Sequence, residues 1–133
     1  PLVLGGKKIE NFGFRFAQGK VVEVLADEGK EMLEALVATD ENAGYLGEAA
    51  LVEYHSPISM SGLVYYTTLI DENASCHLAL GRGLNSSPEG HPDLFNDSTI
   101  HIDFMIGTAD MRIVGTTETG EEVEIFRNGD FAI

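Results

Sequence analysis

A histidine and an aspartate stand two residues apart in Ile100-His101-Ile102-Asp103-Phe104-Met105-Ile106-Gly107, inside an otherwise apolar run. On a β-strand the side chains alternate between faces, so His101 and Asp103 share one face while Ile100, Ile102 and Phe104 turn to the other, into a core. Two polar groups side by side on a rigid strand are costly to bury unless something pairs with them. A metal ion is one such partner, because imidazole and carboxylate are both ligands for zinc, cobalt or manganese. A plain hydrogen-bonded pair, or one facing solvent, is the other reading. Two more polar residues interrupt apolar segments: His77 in Asp71-Glu72-Asn73-Ala74-Ser75-Cys76-His77-Leu78-Ala79-Leu80-Gly81, and Glu48 in Leu46-Gly47-Glu48-Ala49-Ala50-Leu51-Val52. His91-Pro92-Asp93 repeats the His-x-Asp pattern, but the intervening proline and a loop-like context make it surface chemistry and not a preformed site.

The elements that must hold these residues are mostly strands. Ile9, Phe12, Phe14 and Phe16 alternate loosely, Gln18-Gly19 makes a turn, and Val21, Val22 and Val24 continue, which is a hairpin signal. Asp27 is placed to cap a helix over about 28–39, where Met32, Leu33, Leu36 and Val37 fall at helical spacing. Residues 40–47 read as a short helical turn and loop. Glu48–Val52 reads as a strand that Ser56-Pro57-Ile58 breaks. Leu63–Ile70, rich in β-branched and aromatic residues, reads as another strand, with Tyr65 and Tyr66 as sheet packing or as the lining of a substrate pocket. Asp71-Glu72-Asn73 is a turn, and 74–81 a strand, with a short helix as its alternative. Residues 81–98 form a loop, 100–106 a strand, and 111–117 with 121–126 a hairpin across Thr119-Gly120; Asn128-Gly129 makes a last turn. The fold class is therefore α+β: a strand-rich mixed or antiparallel sheet domain with few helices and the metal-competent residues on strands.

The chain's 133 residues suffice for a single domain with a core and not for two. Its hydrophobic content of 44% is that of a globular chain. No apolar run reaches the length of a membrane span, and no signal peptide opens the sequence. The net charge of −14 would repel nucleic acid and attract cations, either metal ions or a peptide's amine. Acidity for solubility alone reads the same way. The single cysteine, Cys76, excludes an internal disulfide and fits a reducing cytoplasm. Pro1-Leu2-Val3-Leu4-Gly5-Gly6 opens without an initiator Met and reads like the middle of a sheet, so a fragment or processed piece of something longer is expected.

Taken together, the segments around Glu48, His77 and His101-Ile102-Asp103 resemble the M29 family of metallo-aminopeptidases, the aminopeptidase T, aminopeptidase S and PepS group. The order and wording match from about Gly19 to Phe126. The resemblance implies a cytoplasmic exopeptidase that removes N-terminal residues from peptides with two divalent cations, zinc, cobalt or manganese, and that works as a homodimer. Carried over, its metal ligands fall on Glu48, His77, His101 and Asp103, and Glu48 could bridge the ions or shuttle a proton. The chain departs from the pattern in three ways. A further ligand carboxylate, in a Gly-Glu-Val-Phe-like motif, would lie before Pro1, as would the family's N-terminal α/β domain. Leu84 stands where the family usually has a tyrosine. The loop 82–98 is shorter than expected. Residues 1–133 are thus expected to be the C-terminal catalytic-domain portion of a longer enzyme, incomplete as a catalyst.

A reading from another class is a non-catalytic structural or dimerisation domain that keeps the peptidase fold, which the missing carboxylate and Leu84 favour; a small-ligand binding domain has little behind it. Cys76 next to His77 is expected to be a small core residue and not a nucleophile, since neighbours on a strand face opposite ways. Asp71 and Glu72 are read as turn residues or as groups orienting His77. His55 carries no signal beyond surface chemistry.

Overall fold

Phe104 gathers one hydrophobic core around itself. The computed structural model of the chain describes residues 1–89, 91 and 93–133, so Gly90 and Pro92, and with Pro92 the centre of the His91-Pro92-Asp93 motif, lie outside the described residues. The described chain forms two compact units, residues 1–49 with 78–104, and residues 50–77 with 105–133.

In the first unit, β1 (Leu2–Leu4) and β2 (Lys7–Ile9) form an antiparallel pair, and β3 (Phe12–Ala17) and β4 (Lys20–Ala26) form the expected hairpin. The Phe104 ring meets Phe12 and Phe14 edge-on, with centroids 6.0 and 5.4 Å apart. Leu2, Ile9, Val24, Leu33 and Leu80 complete this core, with Ile102 and Leu78 packed against it. Helix α1 (Lys30–Val37) supplies Leu33 and Leu36 from its apolar stripe. The expected cap, Asp27, is not the N-cap: Gly29 holds that position at φ 72, a left-handed conformation that glycine adopts without strain, and its missing side chain leaves room for Ile9.

Strands β5 (Leu46–Ala50), β6 (His77–Gly81) and β7 (His101–Met105) form a three-stranded sheet in that order, and all but one terminal residue of each belongs to the first unit. Asp40 buckles the chain just before β7. Its carboxylate accepts from the Thr99 N–H at 2.8 Å, the Thr99 hydroxyl at 2.7 Å, the Ser98 hydroxyl at 3.0 Å and the Asn42 N–H at 3.0 Å. These donors, the Thr99 N–H foremost, hold the Asp40 carboxyl far below the usual carboxylate range.

In the second unit, β8 (Ile113–Thr116) and β9 (Glu122–Arg127) form the expected hairpin, and β10 (Asp130–Phe131) returns along β9. Phe126 is fully buried, its ring 4.4 Å from that of Phe131. Cys76 is a core residue, 2% exposed, with its Sγ 3.4 Å from both the N and the O of Val52. One expectation is extended in this unit and one fails. Ser56-Pro57 does not merely break a strand; it starts helix α2 (Pro57–Ser61), with the Ser56 hydroxyl accepting from the Ser59 N–H at 3.1 Å and proline at the first helical position. Residues 63–70 are not a strand. Tyr66 is left-handed at φ 55, and Thr68–Asp71 form a short helix, α3, which runs into a 3-10 turn at Glu72–Ala74. The Asp71 carboxylate takes the N–H groups of Tyr65 and Thr67 that a strand ladder would need, so local side-chain bonding wins over β propensity. Tyr65 and Tyr66 are accordingly exposed and are not sheet packing.

No described helix is long and apolar enough to cross a membrane. The α+β expectation holds: short helices, and strands that pair antiparallel wherever their register is resolved.

Phe104→Ala removes the ring that both other phenylalanines lean on and is expected to cost about 3–4 kcal/mol, read by urea denaturation. Asp40→Ala should lower the denaturation midpoint at neutral pH. Because the folded carboxyl titrates below the unfolded one, this contribution is fully present above the unfolded value near ~3.9 and fades as pH falls through the folded one. The gap between wild type and variant should therefore close on acidification, and a gap independent of pH would exclude the buckle.

Candidate metal centre

Glycines decide whether the polar residues can meet. A Cβ on Gly47 would collide with the carbonyl oxygens of Gly81 and Arg82, so only glycine lets β5 run this close to the end of β6. Gly81 is equally constrained: at φ +93 a side chain there would strike the Ile100 carbonyl. The Gly81 N–H donates to the Tyr45 carbonyl at 2.8 Å and the Arg82 N–H to that of Ile100 at 2.6 Å, which ties the three segments together. Asn96 crosses beneath them, donating from Nδ2 to the Gly81 carbonyl at 2.6 Å and to that of Asn42 at 3.0 Å.

The outcome is that Glu48, His101 and Asp103, distant in sequence, converge, one ligand atom of each lying within 4.8 Å of the others. His101 Nε2 stands 3.3 Å from Glu48 Oε2 and 3.2 Å from Asp103 Oδ1. The Asp103 side chain is 3% exposed, that of Glu48 22% and that of His101 31%. As the alternation requires, Ile102 and Phe104 take the opposite face, into the core.

The tautomer of His101 follows from its other nitrogen. Nδ1 lies 2.6 Å from the Arg82 carbonyl oxygen, which can only accept, so Nδ1 carries the proton and Nε2 of the neutral ring presents a lone pair to two carboxylates. Three acceptors facing one another need a cation. Ligands about 2.1 Å from a tetrahedral ion stand roughly 3.4 Å apart, close to the separations seen here, so the donor set fits a divalent ion in spacing as well as in chemistry. Without one, the two carboxylates favour a second proton on the ring. Partial burial pulls the His101 pKa down, but the Arg82 carbonyl and the charges of Asp103 and Glu48 outweigh it, and the net shift is upward.

His77 belongs to the second unit, where it opens β6 and is 4% exposed. Its Nδ1 lies 3.1 Å from the Ser75 carbonyl oxygen, so it too has Nε2 as the unprotonated nitrogen when neutral. Glu72, from the 3-10 turn, brings a carboxylate oxygen within 4.8 Å of a ring nitrogen of His77. Glu72 was expected only as a turn residue or an orienting group. Its signal in the sequence was an acidic residue shortly before a buried histidine, but the helical turn that aims it is invisible to a strand reading of 63–70. Asp71, by contrast, commits both carboxylate oxygens to the N–H groups of Tyr65 and Thr67. Leu84 is 51% exposed in the loop after β6. His55 does more than its sequence suggested: its Nδ1 lies 2.5 Å from Asp130 Oδ2 and its N–H donates to Oδ1 at 3.1 Å, joining the 52–56 segment to β10.

Gly47→Ala should separate Glu48 from His101 and lower zinc affinity by about tenfold or more, read by calorimetric titration. In the metal-free chain His101 should titrate above the ordinary imidazole value near ~6.5. Its contribution to stability is then complete below that value and lost as pH rises through the folded one, which ring-proton NMR and denaturation together would follow.

The family described as Thermophilic metalloprotease (M29) matches residues 1–131. Aminopeptidase AmpS of Bacillus subtilis is 47% identical over 99% of this chain, and Aminopeptidase T of Thermus thermophilus is 41% identical over 100% of it. The solved structure of wild-type AmpT from Thermus thermophilus superposes on the whole chain with a TM-score of 0.92 at 41% identity. In each case the chain spans 34% of the relative's length. With the match running from the first residue through β10, this chain belongs to the M29 family of metallopeptidases.

Proposed function

We propose that residues 1–133 act as one domain, the C-terminal catalytic-domain portion of a longer metallo-aminopeptidase that releases N-terminal residues from peptides by two-metal water activation. The observation that carries this reading is the convergence of Glu48, His101 and Asp103 on the lone pair of His101 Nε2. Glu48, His77, His101 and Asp103 are the ligands of two divalent ions, zinc, cobalt or manganese. When bound, the ions supply Lewis acidity that lowers the pKa of water and polarises the scissile carbonyl.

The chain's own residues supply the rest. Two histidines whose Nδ1 atoms face backbone carbonyls are each fixed in ring orientation and tautomer, with Nε2 as the remaining ring nitrogen. Asp103 is buried, and burying a carboxylate is costly unless it is paired, which suits a ligand. Glu48 is more open, and a carboxylate at that spot can hold or pass the proton released as water attacks. The acidic surface disfavours nucleic acid and leaves a peptide's protonated amine as the matching substrate end. A cytoplasmic homodimer completes the reading.

The test is zinc and cobalt titration of the chain beside His101→Ala and His77→Ala, followed by hydrolysis assays on short peptides. Wild type should bind ions that both variants hold at least ~10-fold more weakly. A folded wild-type chain that takes up no metal and matches the variants would overturn the reading and leave a structural or dimerisation domain.

A further inference from the structure

Asp71 makes no contact that a metal site requires, yet its position is unusually determined. Its Oδ1 accepts from the Tyr65 N–H at 2.8 Å and its Oδ2 from the Thr67 N–H at 3.0 Å. The residue between, Tyr66, is held at φ 55. A bulky aromatic residue in the left-handed region is strained, because its Cβ crowds its own backbone. Such strain persists only where the surroundings over-determine it. The surroundings here are not a packed core: Tyr65, Tyr66, Leu69 and Ile70 are all exposed. The carboxylate of Asp71 is what holds the turn.

What the turn sets is the direction of the chain that follows. Asp71 is the last residue of α3, and the next residue, Glu72, opens the 3-10 turn. Asn73 Nδ2 donates to the Leu69 carbonyl at 3.1 Å, and the Asn73 carbonyl accepts from the Ser56 hydroxyl at 2.7 Å, so helix and turn move as one piece. That piece delivers the Glu72 carboxylate to within 4.8 Å of a His77 ring nitrogen.

We infer that Asp71 is a positioning residue for His77, one of the proposed ligands, through its neighbour Glu72: by clamping Tyr66 in a left-handed turn it aims the helical turn that carries Glu72 at His77. This rests on the metal reading proposed above. Asp71 acts through backbone geometry and not through its charge on the ion. A glycine at position 66 adopts φ 55 without strain, so it should make the clamp dispensable.

The experiment is zinc titration of the 133-residue chain with 15N-labelled histidine rings, following the Nε2 signals of His77 and His101 separately. Wild type, Asp71→Ala, Tyr66→Gly and the double variant are compared, with circular dichroism as the check on folding. Asp71→Ala is expected to weaken zinc at His77 by about tenfold or more while leaving His101 unchanged. Tyr66→Gly alone should bind as wild type, and in the Asp71→Ala background it should restore most of the loss. Unchanged binding at His77 in Asp71→Ala would overturn the inference. A loss that Tyr66→Gly does not rescue would overturn it too, in favour of a direct effect of the carboxylate charge. If Asp71→Ala does not fold, the same comparison is made with Asp71→Asn, which keeps one acceptor oxygen, and the same two outcomes decide. Wild type that binds no zinc overturns the metal reading itself, a failure distinct from wild type binding at both histidines with Asp71 irrelevant.

Discussion

The Arg82 carbonyl is the constraint on which the site depends. A carbonyl oxygen only accepts, so the His101 ring must give it the Nδ1 proton, and the ring's orientation and tautomer are settled together. Whatever holds that peptide group therefore holds the site. Gly81 lets the chain turn beneath Ile100, Gly47 lets β5 close on the Gly81 and Arg82 carbonyls, Asn96 bonds the Gly81 carbonyl, and Asp40 pins Ser98 and Thr99 just before β7. Glycines, an asparagine and an aspartate outside the candidate ligand set thus shape the geometry around it.

The electrostatics make the same point from the other side. A lone pair and two carboxylates are turned toward one another, one carboxylate almost wholly buried, an arrangement that positive charge stabilises. Either a second proton on His101 or a divalent cation would supply such charge. The two would compete for the same nitrogen, so an ion held at this nitrogen would be linked to pH. The overall negative charge raises the local concentration of cations but chooses none; the choice lies in the imidazole–carboxylate set and its spacing.

In the second unit, the stretch from Leu63 to Ile70 shows how a local competition can reverse a propensity. Its composition is that of a strand, yet among the described residues no partner strand pairs with it, and Asp71 intercepts two of its N–H groups. β propensity is largely the value of packing against neighbours on a pleated surface, and here that value is absent. A carboxylate a few residues away then outcompetes the ladder.

Several features were legible in the sequence for a plain reason: they follow from period. The alternation in 100–106 placed His101 and Asp103 on one face with Ile102 and Phe104 in the core, the Gln18-Gly19 and Thr119-Gly120 turns gave their hairpins, and Cys76 is the small core residue expected. The strand-rich α+β class followed from the same patterns. Three things had no such signal. Glu48 meets His101 only because Gly47 and Gly81 allow two backbones to touch, a long-range steric fact with no local period. The histidine tautomers rest on the Arg82 and Ser75 carbonyls, and a backbone acceptor is the same in every residue type. Glu72 points at His77 because Asp71 bends the preceding chain into a helical turn. Periodicity reports which face a side chain takes; which faces meet, and through which backbone atoms, is decided only when the chain has closed on itself.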